Sequence, residues 1–241
     1  MPLSAARLSP SANIATVDAS RLDFTLAKAS DAQAIFDLVY LHPDPFLRAV
    51  KLEDVENWIA HGACWIVRDS TNKIVGACNI RVPETTADSA PEPAEFGGIF
   101  LLPNYRERGV ADALAVLALA SYYWDNDPED LNPIPVISHV HIKNDKPLKL
   151  LDRIGFIFQR EISVPDGVPG FEHMPREEDG RLLGKEFLLP AERRIQLFRE
   201  MAKLISTREI GTYAISVLPA LGMIPEELER LATHLEMKRS G

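Results

Sequence analysis

The sequence predicts an α/β (α+β) domain, a sheet flanked by helices, followed by a helical C-terminal extension. Three observations predict it. Residues 95–124 read as an apolar strand, a Gly-containing turn and a long Ala/Leu-rich helix. An alternating strand, two amphipathic helices and a hairpin precede them. A further strand, a short helix and a Gly-Phe pair follow.

Residues 1–20 are rich in Ala, Ser and Pro with little periodicity, and are expected to form a flexible leader. Leu22, Phe24 and Leu26 then alternate with Arg21, Asp23 and Thr25, the period of a strand. Ser30-Asp31 caps a helix carrying Ile35, Phe36, Leu38 and Val39, which His42-Pro43-Asp44-Pro45 stops. A second helix is expected over Leu52–His61, with Val55, Trp58 and Ile59 at helical spacing and Gly62 as its end. Cys64–Arg68 and Lys73–Val82 are strands joined by the turn Asp69-Ser70-Thr71-Asn72. An acidic, Pro-rich loop spans Pro83–Pro93.

The central strand carries Phe96, Ile99, Phe100 and Leu101, and its helix runs to Trp124. After the acidic loop that follows, Val136–Ile142 is a strand and Leu148, Leu150, Leu151 and Ile154 mark a short helix. Gly155-Phe156 leads into another strand. Residues 164–181 read as a loop, and Lys185–Leu189 as a last strand. From Pro190 onward the pattern is helical: Ile195, Leu197, Phe198, Met201, Leu204 and Ile205 form an apolar stripe, and Glu226–Met237 a final amphipathic helix. The expected organisation is therefore a leader at 1–20, a catalytic-size domain at 21–189 and a helical extension at 190–241. That extension packs on the domain or offers a surface to a second copy or another protein.

A chain of 241 residues can bury one good core with an appendage. Its net charge of −9 argues against a nucleic-acid binder working by general electrostatic attraction. Cys64 and Cys78 are the sole cysteines, both within apolar strands, and read as buried free thiols. No run of apolar residues is long enough to span a membrane, and no signal-peptide layout is seen, so a cytoplasmic location is expected.

The chemistry points to the turn after the central strand. Leu101-Leu102-Pro103-Asn104 breaks the strand, and Arg106-Glu107-Arg108-Gly109 opens the helix. The first amides of a helix lack intrahelical partners, and its macrodipole places partial positive charge there. Arg106 and Arg108 add full charges at the same mouth. A phosphate-bearing ligand is the expected occupant. The turn is neither a Walker loop nor a dinucleotide fingerprint.

The segment resembles motif A of the GCN5-related N-acetyltransferases, where a Val-x-Pro strand end leads into Arg/Gln-x-x-Gly-x-Gly/Ala. Here it reads Leu101-Leu102-Pro103, then Arg106-Glu107-Arg108-Gly109-Val110-Ala111, with Leu114 at the apolar helix position. Asn144 and Gly155-Phe156 resemble the family's motif B. The likeness extends over roughly Leu22–Leu189. It implies a central, mixed, mostly antiparallel sheet and acetyl-CoA as cosubstrate. It implies that the backbone of Arg106–Ala111 holds the pyrophosphate and that of Leu101-Leu102 the pantetheine arm. Asp112 and Asn144 border that site. Asp112 suits the helix dipole, but sets a like charge beside a phosphate.

The resemblance also implies an acetyl transfer to a primary amine, of a small molecule or a protein. Glu95 is the candidate base, since several family members place a glutamate at the head of this strand. Gly97-Gly98 marks a bulge or close backbone approach within the strand. Where family members often carry a Tyr as leaving-group acid, this chain has Leu151. Tyr122 and Tyr123 read as packing residues. His139 and His141 share one strand face and read as sheet-surface histidines, a substrate-side polar role being the alternative; no third metal ligand accompanies them, and no metal is expected. The alternative to an enzyme is a protein of this fold with weak or no catalysis that acts as a structural or interaction component through its helical tail.

Overall fold

A computed structural model describes residues 21–61, 64–83, 92–106, 108–126, 128–218 and 223–240. In chain order the elements are β1 (Arg21–Leu26), α1 (Ala32–Tyr40), α2 (Leu52–Ala60), β2 (Cys64–Asp69), β3 (Ile74–Arg81) and β4 (Ala94–Leu101). There follow α3 (Val110–Asp125), β5 (Val136–His141), α4 (Leu148–Ile154), β6 (Ile157–Val164) and β7 (Leu182–Leu189). The C-terminal part supplies α5 (Arg193–Thr207), β8 (Glu209–Ile210), β9 (Tyr213–Leu218) and α6 (Pro225–Ser240). The leader, Gly62 and most of the acidic 83–93 loop lie outside the described residues.

All the strands join one sheet in the order β6-β7-β5-β4-β3-β2-β1-β9-β8. Its pairings are antiparallel except β4 with β5 and β1 with β9. The β4–β5 pair is short: Ala94 faces Val136 and Glu95 faces Ile137, and beyond that point the two strands separate. The last residues of β4 thus leave one edge unclaimed by a strand in the middle of the sheet.

Helices cover both faces. On one, α1 and α2 bury Ile35, Leu38 and Val55 against Ile66, Ile74 and Phe100. On the other lies α3, buried on nearly every side from Ala113 to Tyr123. A helix apolar all round must be covered all round. The sheet covers one side of α3 through β2, β3 and β4, and α5 covers the opposite side, with α6 packed on α5. Trp65 Nε1 donates to Ser121 Oγ at 3.1 Å, and that hydroxyl reaches Met223 Sδ at 3.8 Å, a polar thread from sheet through α3 to the tail.

The C-terminal segment is therefore part of the domain core. It is helical at both ends, but not throughout. Arg208 adopts a left-handed conformation that ends α5, Gly211 (φ +56°) turns the chain, and Tyr213, Ile215 and Val217 then alternate along β9 beside β1. Phe198, fully buried and edge-on to Trp124, ties α5 to α3. Phe198→Ala is expected to cost about 3–5 kcal/mol. Denaturant unfolding should show that loss in a single transition; a separate early transition of the tail would contradict a shared core. Among the described residues no helix is long and apolar enough to cross a membrane.

Candidate active site

The open edge of β4 ends in the turn that the sequence marks as a candidate anion site. Leu102 N–H donates to Val75 O at 2.9 Å, which holds the strand end on β3. A single 3-10 turn, Pro103–Tyr105, reverses the chain, and Gly109 (φ +79°) forms the N-cap of α3. That φ lies in the region that suits glycine. The first described amide bonded back into the helix is that of Ala113, to Gly109 O at 3.0 Å. The amides before it are the donors a helix start leaves over.

The arginine side chains do not do what their charges alone imply. Arg106 folds back, its Nε donating to Leu101 O at 2.9 Å. Arg108 turns toward the C-terminal segment, its Nη1 donating to Tyr213 Oη at 2.8 Å with the guanidinium 5.4 Å from the ring centre. Both therefore brace the turn. Val110 is buried and Ala111 partly so, and Glu107 lies outside the described residues. Asp112 is bound by Arg153 of α4 at 2.6 and 3.0 Å, so its charge is met by a guanidinium beside the helix start. Asn144 accepts from Lys146 N–H at 3.3 Å and shapes the turn from β5 to α4.

Upstream, β4 is bulged. Its register on β3 shifts between Ala77 and Asn79, and Gly98 there has φ +59°. A Cβ on Gly98 would press on the side-chain amide of Asn79, and the positive φ already strains any other residue there. Bulges re-aim the backbone of a strand, and this one interrupts the ladder on the stretch that borders the β4–β5 opening.

Glu95 sits near the head of β4 in a charged ladder centred on His139. His139 Nδ1 lies 2.8 Å from Glu95 Oε1, and His139 Nε2 lies 3.3 Å from Glu186 Oε2. Arg81 pairs with Glu95 at one end, and Arg160 with Glu186 at 2.9 Å at the other. The ladder follows strand register, Arg81 facing Glu95 and His139 facing Glu186. Burial alone would raise the Glu95 carboxyl; the His139 hydrogen bond and the Arg81 guanidinium outweigh it and hold it below the usual carboxylate range. The hydrogen bond to Glu95 raises His139 above the ordinary imidazole value, against the opposing effect of burial.

The two shifts predict a pH window. His139, raised when folded, contributes stability that is fully present below its ordinary 6.5 and lost as pH rises through the folded value. Glu95, depressed when folded, contributes stability that is present above its ordinary 4.5 and lost as pH falls through the folded value. The ladder is thus fully stabilising between 4.5 and 6.5. Denaturation of wild type and His139→Gln should differ most between pH 4.5 and 6.5 and converge as pH rises through the folded His139 value; a gap constant with pH would contradict the ladder.

Other expected residues fall into place as packing. Leu151 is buried in the core, as are Tyr122 and Tyr123, whose phenols are raised by burial. Cys64 is pushed up to about 12, mainly by burial, and Cys78 is raised for the same reason. His141 is separate from the ladder: Nε2 meets Pro175 O at 2.8 Å, and Nδ1 accepts from Lys143 N–H at 3.1 Å. Among the described residues no group of three His, Cys, Asp or Glu converges as a metal site. Glu186, Arg160, Asn79, Arg153 and Tyr213 escape sequence reasoning. Each meets the site through strand or helix neighbours far away in the chain.

A family model for the acetyltransferase (GNAT) domain matches residues 21–157. The chain belongs to the GNAT acetyltransferase family. Membership makes it an acyltransferase with acetyl-CoA as cosubstrate. No curated protein sequence matches significantly. Solved structures of similar fold include the NatC complex bound to Gag peptide and CoA, at 12% identity over 70% of this chain and 98% of that one (TM-score 0.53). A GNAT-family acetyltransferase from Streptococcus pneumoniae matches at 14% over 70% and 98% (TM-score 0.50). Ribosomal-protein-S5-alanine acetyltransferase from Vibrio fischeri matches at 14% over 69% and 91% (TM-score 0.50). Those chains are covered almost whole, whereas this GNAT chain has residues to spare.

Proposed function

We propose that this GNAT protein is an N-acetyltransferase that transfers the acetyl group of acetyl-CoA to a primary amine by direct attack on the thioester. One observation carries the reading. A single strand, β4, bears a carboxylate at its head, a bulge in its middle and an amide-presenting turn at its end, beside a neighbour that diverges from it.

The residues fit the cosubstrate. The left-handed Gly109 and the leftover amides at the start of α3 form a cradle for a pyrophosphate. With Leu101 O taken by Arg106 and Leu102 N–H by Val75, contacts to a pantetheine arm move back along β4 toward the bulge. Acetyl-CoA supplies the reactive thioester. Backbone N–H groups at the bulge are placed to donate to the oxygen on which charge builds. Glu95 takes the ammonium proton, directly or through water, and His139 and Arg81 keep its carboxylate ionised and oriented. With Leu151 in the core, the departing thiolate draws its proton from solvent.

The acceptor is a cationic amine, whether polyamine, aminoglycoside or the amino group of a protein. The alternative, an interaction component working through its tail, loses its main support: the apolar stripe of α5 and the buried residues of α6 are used inside the domain. The test is release of free thiol from acetyl-CoA across a panel of polyamines, aminoglycosides and peptides. Amine-dependent release with acetylation of the amine is expected. A folded protein that binds acetyl-CoA yet acetylates none of these classes would favour the alternative.

A further inference from the structure

The C-terminal hairpin is fitted against the turn that opens α3. Gly109 and Gly211 both have positive φ and lie across one seam. A Cβ on Gly109 would stand 3.0 Å from Ile210 Cγ2, and a Cβ on Gly211 would stand 3.3 Å from the carbonyl oxygen of Arg108. Tyr213, buried at the start of β9, completes the seam. Its hydroxyl accepts from Arg108 Nη1 at 2.8 Å, its face lies under the Arg108 guanidinium, and its ring stacks on Tyr105 at 6.2 Å. The Tyr105 hydroxyl in turn donates to Asp69 Oδ2 at 3.2 Å.

This arrangement restrains the turn from both ends. Tyr105 closes the 3-10 turn before it, Arg108 immediately precedes the N-cap, and both are pinned by one side chain of the tail. A phosphate cradle of backbone amides binds well when those amides are already aimed, since ordering a loop on binding costs affinity. We propose that Tyr213 is a positioning residue of the cosubstrate site. It holds Arg108 and Tyr105 so that the Arg106–Ala111 turn presents its amides to the pyrophosphate of acetyl-CoA, which makes the C-terminal hairpin a working part of that site. This inference rests on the reading under Proposed function and adds to it a residue from outside the 21–157 match.

Tyr213→Phe keeps the ring and its stacking and removes the hydroxyl; Tyr213→Leu removes both. Calorimetry with acetyl-CoA should show affinity weakened about three- to tenfold in Tyr213→Phe and further in Tyr213→Leu. KM for acetyl-CoA should rise in parallel without a matching rise in KM for the amine. Acetyl-pantetheine, which lacks the pyrophosphate, should react with wild type and Tyr213→Phe alike, a distinction that a general loss of structure would not make. If wild type binds acetyl-CoA and Tyr213→Phe binds it equally well, the inference fails alone. If acetyl-pantetheine is impaired as much as acetyl-CoA, Tyr213 is a structural residue and the inference also fails. A folded wild type that does not bind acetyl-CoA overturns the parent reading and this inference with it.

Discussion

Glu95→Gln is expected to lower kcat by about 10²–10⁴-fold and to leave the affinity for acetyl-CoA unchanged. The substitution is isosteric and removes the one property assigned to the residue, acceptance of the ammonium proton. Glu95 suits that task because the ladder keeps it charged. His139 at 2.8 Å and Arg81 both favour the carboxylate, and their combined effect exceeds the burial that opposes it. A depressed carboxyl is a weak base by itself, so the acid limb of kcat/KM should reflect the amine and His139 rather than Glu95. The same variant carries a spectroscopic check. Loss of the Glu95 charge removes the first cause of the raised His139 value, so the His139 ring should titrate at lower pH in Glu95→Gln than in wild type. Unchanged turnover in a folded variant would remove Glu95 from the mechanism.

Gly109→Asp is expected to weaken acetyl-CoA binding about 100-fold or more. The new carboxylate would stand at the N-cap, next to the amides assigned to the pyrophosphate, and like charges a few ångströms apart are worth several kcal/mol at a protein surface. Backbone strain is a smaller effect, since Asp enters the left-handed region at about 1–2 kcal/mol; crowding against Ile210 Cγ2 adds to it. Gly109→Ala separates the two effects, because it carries strain and crowding without charge. Circular dichroism should show both variants folded. Equal loss in Ala and Asp would mean that geometry, and not charge, governs the site.

The strand, turn and helix of motif A were legible because their signals are local. Phe96 to Leu101 is a short apolar run, Pro103 breaks it, and Gly109 opens a helix with no polar face. From Ala113 to Ala120 every residue is apolar, which requires cover on both sides and foretells the packing of α5 on α3. The β8–β9 hairpin was not legible in the same way. Tyr213–Leu218 is a six-residue run whose partner, β1, lies far back in the chain, and strand identity there depends on that distant edge. The ladder had the same obstacle: Glu95, His139 and Glu186 lie on three strands far apart in the chain and meet only when the sheet assembles. His139 faces Glu186 in register and reaches Glu95 through its side chain. Arg106 and Arg108 show the limit of counting charges. They flank the helix start as expected, yet their guanidinium groups go to Leu101 O and Tyr213 Oη, which sequence does not reveal.

The most direct test of the account is calorimetric titration of the wild-type protein with acetyl-CoA. One molecule bound per chain, with the heat abolished in Gly109→Asp and retained in Glu95→Gln, is the predicted result. It would place the cosubstrate at the start of α3 and leave Glu95 to the chemical step. A folded wild type that gives no heat with acetyl-CoA would contradict the account at its centre.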